Sequence, residues 1–569
     1  FNNIIIFERN KHMKNIFTIL LVISSISSYA QNSFDKQWSI HFNVTDQFAF
    51  GHSEYLYLRE DEKLYFINQN KIQYTYLPEI SPVDVLSIGT SENTSIYAFD
   101  FDSQNNIYLL CSTTDMNNIS TPNVYKNSID LDIVEEFGQN FFLAKFDPSG
   151  TLQALTYINN LEDGGFSKRI LTLDNADNVY FTEYIPYTEV IPNAPFQSTA
   201  TIEDILMSNR CSSIVKLNSD LQLVWRTFFS HNSTFLSSIY AMGDQLVVSG
   251  GVIPHFNSTT YNPNYFWANG GFLQNNQQPG PRMFVNVLNS NGTRAWGTYL
   301  NNTNSFFIKN LKISGNEIYV LHQATLEPTE NAFFQSPEVN MITKINSTGG
   351  RIWSNYTKAT DIAIDGNNNL LLLGTTYTEI AVTPDAYQST INSNSAQNST
   401  SDAFHQILSS DGSQLLYGSY FGDYGDDTSF KFFHKSNGEL LTMEYIKNYQ
   451  NENDFITQGN PLNFHNNLGY NGIVISLFSK ATASNTKQEL ENLSVYPNPV
   501  EDQLIIENEF AFKDSDQVKV YTLLGQELKI DKQIDNQYIY INTTSWSSGM
   551  YLIEVLVDGK KGSYKVIKK

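Results

Sequence analysis

Short turns rich in Asp and Asn are the first feature of this sequence that could bind a metal ion. Examples are residues 100–105 (DFDSQN), 174–178 (DNADN) and 365–368 (DGNN). Calcium takes about six to eight oxygen ligands, and none of these turns has EF-hand spacing that ends in a bidentate Glu. Each turn instead precedes an apolar stretch, where Asp and Asn stabilise tight turns. The pattern favours structural turns, and we predict no metal and no cofactor.

Catalytic motifs of the common hydrolase classes are missing from the sequence. It has no G-x-S-x-G elbow, no H-E-x-x-H helix and no P-loop. The nine histidines are widely spaced, the nearest pair being His41 and His52. A triad or a carboxylate pair assembled from distant segments stays open, because a sequence does not show spatial proximity. We predict no catalytic residue.

One long segment, residues 254–281, is rich in Asn, Gly and Pro and crowded with aromatic residues, among them Tyr261, Tyr265 and Trp267. Exposed rings can stack on the apolar faces of sugars, and loops often carry binding functions. We take these three residues as candidate ligand-binding residues. The alternative is that the rings pack locally and fix the loop to its scaffold.

Composition narrows both the class of ligand and the class of fold. The net charge of −23 and the pI near 4.7 argue against nucleic acid, whose phosphates demand basic patches. Aromatic residues make up 14% and charged residues only 16%, which is typical of many short strands. Cys111 and Cys211 are too few for a disulfide scaffold, and Cys111 lies in an apolar run. This favours free thiols over a bridge.

A repeated pattern in the middle of the chain supplies the elements that must position such residues. A polar turn and an apolar strand are followed by a hairpin, as in SIVKLNSDLQLVWRTF and MITKINSTGGRIWSNY. Trp225, Trp296 and Trp353 occupy one aligned place in these hairpins. Each copy offers three to four strands, which bury their faces only by stacking on neighbouring copies. We predict about seven units around an axis, with the Trp rings between them.

Further motifs in the same region point to a family. Loops of one form occur at residues 193–197 (NAPFQ), 331–335 (NAFFQ) and 384–388 (PDAYQ), with related motifs at 401–404 (SDAF) and 420–423 (YFGD). These units resemble the SBBP family of bacterial seven-bladed β-propeller repeats. The resemblance implies an all-β fold, with a roughly seven-bladed propeller over residues 31–480.

The C-terminal segment, residues 492–569, carries four motifs in one order. They are Tyr496-Pro497-Asn498-Pro499, a turn at Gly525, Gly549-Met550-Tyr551-Leu552, and a terminal KVIKK that contains Lys568. The series closely resembles the type A C-terminal sorting domain of the type IX secretion system of Bacteroidetes-like bacteria. The resemblance implies a small Ig-like β-sandwich that contacts the secretion machinery. It also implies removal of the sandwich on export, with the propeller released or attached to surface lipopolysaccharide.

The N-terminal segment has the features of a signal peptide. Residues 13–30 combine a basic start, an apolar core (IFTILLVI) and small residues before a cut between Ala30 and Gln31. The core is shorter than the roughly 20 residues that a membrane-spanning helix needs, so we predict no transmembrane span. Residues 1–12 are expected to be an upstream extension from a misplaced start.

Together these patterns predict export to the periplasm by the signal peptide, then passage to the outer-membrane surface or the medium. Residues 481–491 are expected to be a linker, cut on export. The leading hypothesis is a non-catalytic binding or adhesion protein whose ligand is an extracellular glycan or protein. The alternatives are a secreted enzyme that acts on polysaccharide in the propeller channel, and a structural component of a surface layer.

Overall fold

The computed structural model divides into two compact units, whose described residues end at Lys480 and begin at Leu493. The structure describes residues 34–43, 56–58, 63–76, 83–90, 92–117, 119–161, 169–200, 210–231, 233–253, 262, 265–268, 270–273, 282–300, 308–391, 401–421, 426–435, 438–447, 471–480, 493–513, 517–522, 527–557 and 560–569. The predicted extension, signal peptide, cut after Ala30 and linker lie outside these residues. Within them, seven four-stranded antiparallel sheets form the first unit and two form the second.

Each sheet of the first unit is a blade, and the blades follow one another along the chain. The N-terminal strand is β1 (Phe34–Asn43). Blade 1 contains β2 (Tyr57–Leu58), β3 (Lys63–Asn68), β4 (Lys71–Tyr76) and β5 (Val83–Ser87). Blade 2 contains β6 (Thr94–Phe101), β7 (Ile107–Thr113), β8 (Asn140–Phe146) and β9 (Leu152–Ile158). Blade 3 contains β10 (Leu171–Leu173), β11 (Val179–Pro186), β12 (Arg210–Leu217) and β13 (Leu223–Phe228).

The remaining blades repeat the same up-and-down order. Blade 4 contains β14 (Ser233–Met242), β15 (Gln245–Ile253), β16 (Arg282–Leu288) and β17 (Arg294–Tyr299). Blade 5 contains β18 (Ile308–Ser314), β19 (Glu317–Gln323), β20 (Asn340–Ile345) and β21 (Arg351–Thr357). Blade 6 contains β22 (Ala359–Ile364), β23 (Leu370–Thr376), β24 (Asp402–Leu408) and β25 (Leu415–Tyr420). Blade 7 contains β26 (Asp426–His434), β27 (Leu440–Lys447) and β28 (Asn471–Lys480), and β1 is its fourth strand.

The blades close into a ring. The first strands of blades 2 to 7 contact one another in chain order, so they surround a central axis. Strand β1 pairs antiparallel with β28 and completes blade 7 with the N-terminal end of the chain. Blades 7 and 1 share an apolar cluster that includes Leu441, Leu477, Leu64 and Phe66. The predicted all-β, seven-bladed propeller is confirmed, and closure leaves no long open sheet edge.

The apolar core is divided among the junctions between blades. Trp225 lies in the cluster between blades 3 and 4, Trp296 between blades 4 and 5, and Trp353 between blades 5 and 6. All three rings are buried, and burial of a ring of this size contributes about 2 kcal/mol or more. The predicted place of these rings between the units is confirmed.

The Asp-rich turns are tight turns that lead into the second strand of a blade. Asp102, Asp174 and Asp365 each accept backbone N–H groups two and four residues further along the chain. Their carboxylates therefore satisfy turn donors that no strand pairing would reach. The interpretation of these segments as structural turns is confirmed.

One short helix interrupts the β pattern of the described residues. This helix, α1 (Leu131–Phe137), joins β7 to β8 and was not predicted from the sequence. Asp130 caps it by accepting the N–H groups of Asp132 and Ile133, and Gly138 ends it in the left-handed conformation. The helix buries Ile133 against blade 2.

The second unit is a small β-sandwich. One sheet contains β29 (Leu493–Tyr496), β30 (Gln503–Asn508), β34 (Tyr538–Asn542) and β33 (Asp531–Asp535). The other contains β32 (Glu527–Leu528), β31 (Gln517–Thr522), β35 (Gly549–Val557) and β36 (Lys560–Lys568). Inward-facing residues of both sheets, such as Ile506, Ile541, Ile553 and Val566, form one buried cluster. A sandwich after the propeller is the predicted order.

Both cysteines are buried, unbridged thiols, as the sequence favoured. Burial raises the pKa of the Cys111 thiol well above its ordinary value, which keeps it protonated and unreactive. No helix among the described residues is both long enough and apolar enough to span a bilayer.

Candidate functional sites

Polar side chains on the inner strands meet around the propeller axis. Arg169, just before β10, pairs with Asp100 of blade 2 at 2.8 Å. Its guanidinium also lies over the rings of Tyr57 and Tyr240, at 5.8 and 5.1 Å from their centroids. Burial raises the pKa of Asp100, and the nearby guanidinium opposes that rise. One cation therefore joins side chains from blades 1, 2 and 4.

A second polar cluster joins the inner strands of blades 5, 6 and 7. The Asn310 amide donates to Asp361, and Lys431 Nζ lies 4.0 Å from Asp361 Oδ2. All three side chains are buried. A buried carboxylate is tolerated when a cation and a hydrogen-bond donor compensate it. The described inner strands thus place each of these carboxylates beside a cation, an arrangement that fixes neighbouring blades together.

A Tyr–Lys pair recurs at the junctions between blades. The two residues lie directly opposite each other on the second and third strands of blades 2, 3 and 5. Each Lys ammonium lies over its Tyr ring, at 4.9–5.2 Å from the centroid. The pairs are Tyr108–Lys145, Tyr180–Lys216 and Tyr319–Lys344. Blades 4, 6 and 7 have apolar pairs in this register: Val247–Val287, Leu371–Ile407 and Leu441–Leu477.

Each of these lysines also reaches the next blade. Lys145, Lys216 and Lys344 donate to backbone carbonyls of the following hairpin, namely those of Ser219, Ser290 and Ser410, over 3.0–3.2 Å. An acid from the preceding turn neutralises each lysine at 2.7–3.6 Å: Asp102, Asp174 or Glu317. Charge-assisted hydrogen bonds of this kind are stronger than neutral ones. Sequence analysis missed these groups, although Tyr and Lys stand at fixed places in the aligned copies.

An aromatic residue occupies the next register position, on the outer strand, in five blades. These residues are Trp225, Trp296, Trp353, Tyr417 and Trp38. The indole N–H groups of the first three donate to the carbonyls of Ser290, Ser347 and Ser410, over 2.8–3.1 Å. Blade 2 departs from this pattern, because Ala154 lies opposite Lys145. The aligned sequence shows Ala154 at the place where other copies have an aromatic residue, but this departure was not predicted to matter.

Two polar grooves lie at these junctions. The 2/3 groove, between blades 2 and 3, has a volume of about 550 Å³ and is lined in part by Asn123, Gln153, Ala154, Asp220 and Gln222. The 5/6 groove, between blades 5 and 6, measures about 490 Å³ and is lined in part by Glu330, Asn331, Ile352, Trp353 and Asp411. Both volumes are in the range of small-molecule sites. Amides and carboxylates can exchange hydrogen bonds with a hydroxyl-rich ligand.

The predicted aromatic loop is partly described. Tyr261 lies outside the described residues. Tyr265 is half-buried and stacks on His231, with 4.4 Å between ring centroids and 9° between planes. Trp267 is also half-buried, and its Nε1 donates to the carbonyl of Gly271 at 2.8 Å. The structure thus places Tyr265 at the junction of blades 3 and 4, where it also contacts Phe196, and places Trp267 against its own loop.

Two of the C-terminal motifs meet in the sandwich. The Asn498 side chain accepts from the N–H of Ile567 at 2.9 Å and donates to the carbonyl of Lys565 at 2.7 Å. Val500 continues this contact through backbone hydrogen bonds to Ile567 and Lys569. The predicted motif residues Pro497 and Pro499 flank Asn498. The first and last motifs, which are about 70 residues apart in sequence, therefore form one composite surface.

The other motif residues have structural contacts of their own. The Tyr496 hydroxyl donates to Glu507 at 2.8 Å, which raises the pKa of Tyr496 to about 12. The Tyr551 ring packs on Trp546, and its hydroxyl donates to the carbonyl of Ser547. Gly549 begins β35, and Lys568 ends β36. Gly525 lies outside the described residues.

Comparison with known families now gives this unit an identity. Residues 494–569 match the family model of the secretion system C-terminal sorting domain. The chain carries a type IX secretion sorting domain. This domain implies interaction with the type IX secretion machinery, and it indicates that the protein is secreted or displayed at the cell surface. The search of curated proteins found no match.

Solved structures resemble the chain only distantly. A chain of a mitotic checkpoint complex is 9% identical, with a TM-score of 0.34 over 73% of this chain and 86% of that one. Prolyl oligopeptidase B from Galerina marginata is 7% identical, with a TM-score of 0.36 over 85% of this chain and 57% of its own length. A gluconolactonase from Xanthomonas campestris is 8% identical, with a TM-score of 0.26 over 61% and 84%.

Proposed function

We propose that the protein is an exported, non-catalytic binding or adhesion protein whose propeller holds an extracellular glycan or protein. The observation that carries the proposal is the polar 2/3 groove at a blade junction of a chain with a sorting domain. A secreted binding protein needs a rigid scaffold with exposed polar groups, and the closed propeller provides one. Between the two ligand classes, the 2/3 groove favours a glycan because amide and carboxylate side chains both line it.

The route of export completes the proposal. We infer that residues 13–30 are a signal peptide cut between Ala30 and Gln31. Residues 481–491 then act as the linker that is cut when the sorting domain is removed. The mature chain is the propeller, either released or attached to surface lipopolysaccharide of a Bacteroidetes-like cell.

Glycan-array binding of the purified full chain tests the function. A matched variant with Tyr261, Tyr265 and Trp267 changed to Ala tests the aromatic loop, which stays a predicted ligand surface. Binding by both proteins supports a glycan-binding propeller and removes the loop from the site. If the wild-type chain binds a glycan and the triple variant folds but does not bind, the aromatic loop is part of the binding site. If the wild-type chain binds no glycan, or cleaves the arrayed polysaccharides, the glycan-binding proposal fails.

A further inference from the structure

Ala154 breaks a pattern that five other blades keep. At its register position the other outer strands carry Trp or Tyr. Trp225 fills the junction between blades 3 and 4 with an indole. At the junction between blades 2 and 3 the same position has only the methyl group of Ala154, which lines the 2/3 groove. A residue repeated in most copies is explained by architecture. The outer strand of blade 1 also lacks an aromatic residue, but blade 2 combines this departure with a groove at its junction, which makes Ala154 a candidate for function.

The 2/3 junction holds together without an indole. In the 3/4 junction, the carbonyl of Ser290 accepts from both the Trp225 indole and Lys216. The equivalent carbonyl of Ser219 accepts from Lys145 at 3.2 Å and from the Tyr108 hydroxyl at 3.4 Å. The acceptor thus keeps two donors although the ring is gone. The space over Ala154 is therefore available to a ligand without leaving this buried carbonyl unsatisfied.

We propose that the 2/3 groove binds neutral sugar residues of an extracellular glycan, an inference that rests on the proposed function. Asn123, Gln153 and Gln222 supply amides that donate and accept, and Asp147 and Asp220 supply acceptors. Sugar hydroxyls can pair with both kinds of group, while Ala154 gives the apolar face of a pyranose ring a flat contact. Lys145 also lines the groove, but Asp102 neutralises it. The two remaining carboxylates make the lining acidic, which disfavours uronic acids and sulfated sugars.

Two tryptophan substitutions, one in each groove, test the site. Ala154→Trp introduces the residue type of blades 3, 4 and 5 and places an indole in the 2/3 groove, whereas Ile352→Trp adds the same ring to the 5/6 groove. Ile352 is 42% exposed, so its blade should accept the change. The full chain and both variants are assayed on an array of neutral and acidic oligosaccharides, and the best neutral oligosaccharide is then titrated by calorimetry. We expect Ala154→Trp to weaken binding at least tenfold and Ile352→Trp to change it less than twofold.

A second variant covers the possibility that Ala154→Trp fails to fold, which thermal unfolding would reveal. Asp220 and Gln222 are exposed hairpin residues, and Asp220→Ala with Gln222→Ala should also weaken binding at least tenfold. Unchanged binding in folded Ala154→Trp, or in this double variant, overturns the inference while the proposed function stands. If only Ile352→Trp weakens glycan binding, the ligand lies in the 5/6 groove instead. Preference for acidic glycans overturns the ligand class, and no glycan binding at all overturns the proposed function as well.

Discussion

The junctions between blades 2 and 3 and between blades 3 and 4 are built alike and differ at one place. Both have a Tyr–Lys pair, an acid from the preceding turn and a carbonyl acceptor on the next hairpin. Trp225 fills the second junction, and Ala154 leaves the first one open. The difference shows that the indole is not required to align neighbouring blades, because blades 2 and 3 keep these polar groups and a shared apolar cluster. The indole adds apolar burial, and its absence leaves a methyl group in the wall of the 2/3 groove, whereas Trp353 itself lines the 5/6 groove.

The largest expected effect comes from opening the filled junction. Trp225→Ala removes a ring that is only 8% exposed and a hydrogen bond to Ser290. Truncation of a buried Trp costs about 3–5 kcal/mol. We expect a loss of that size in the free energy of unfolding, measured by urea denaturation. A loss below about 1 kcal/mol would show that the aromatic column is not what stabilises these junctions.

Acid should destabilise blades 5 and 6 through two buried histidines. Burial lowers the pKa of His322 to about 4 and that of His405 to about 3. His322 contacts Thr343 of blade 5, and His405 packs on Tyr417 of blade 6, whereas blades 2 and 3 contain no His.

The direction of the pH effect on stability follows from proton binding by these histidines. Below pH 6.5 the histidines of the unfolded chain bind protons, whereas the buried His322 of the folded chain stays neutral until the pH nears 4. The free energy of unfolding therefore falls as the pH drops towards about 4. Each His contributes on the order of 3 kcal/mol to this loss. His322→Gln, compared with wild type by urea denaturation at pH 7 and pH 4.5, should reduce the acid sensitivity. An equal loss in both proteins would assign that sensitivity to other groups.

The lysines should contribute unequally to the two junctions. Lys145→Met leaves Asp102 without its cation and Ser219 with only the long 3.4 Å hydrogen bond from Tyr108, whereas Ser290 keeps a 2.9 Å bond from Trp225. We expect a cost of about 2 kcal/mol for Lys145→Met. Lys216→Met should cost only about 1 kcal/mol, because Tyr180 still donates to Asp174 and Trp225 still reaches Ser290. Paired urea denaturation checks the order. Equal costs would mean that the indole does not share the role of the lysine.

Closing the open junction should have the smallest effect on stability. Ala154→Trp adds apolar contact but places the ring beside polar groups, so we expect a change of less than about 1 kcal/mol in either direction. Thermal unfolding measures it. A large destabilisation would show that the 2/3 junction is too narrow for an indole, and that Ala154 is required by packing.

Several structural features were predictable because they depend on local or repeated patterns. The Asp-rich turns follow from side-chain capping within a few residues, and the buried Trp column follows from an aligned position in the repeats. The sorting motifs were read from their order along the chain. The fourth strand of blade 7 was harder to predict, because β1 pairs with β28 more than 400 residues away. Helix α1 was missed because seven residues carry too little periodicity.

By itself, the sequence determined the fold class, the approximate number of blades and the destination of the protein. Each of these depends on repetition or on a contiguous motif, which a linear chain displays directly. Only the tertiary structure decided how the ring closes, which carbonyl each lysine and indole reaches, and that Asn498 contacts Ile567. It also decided that Ala154 lines a groove. These features join residues that are distant in sequence, and their proximity exists only once the strands have paired and the blades have packed.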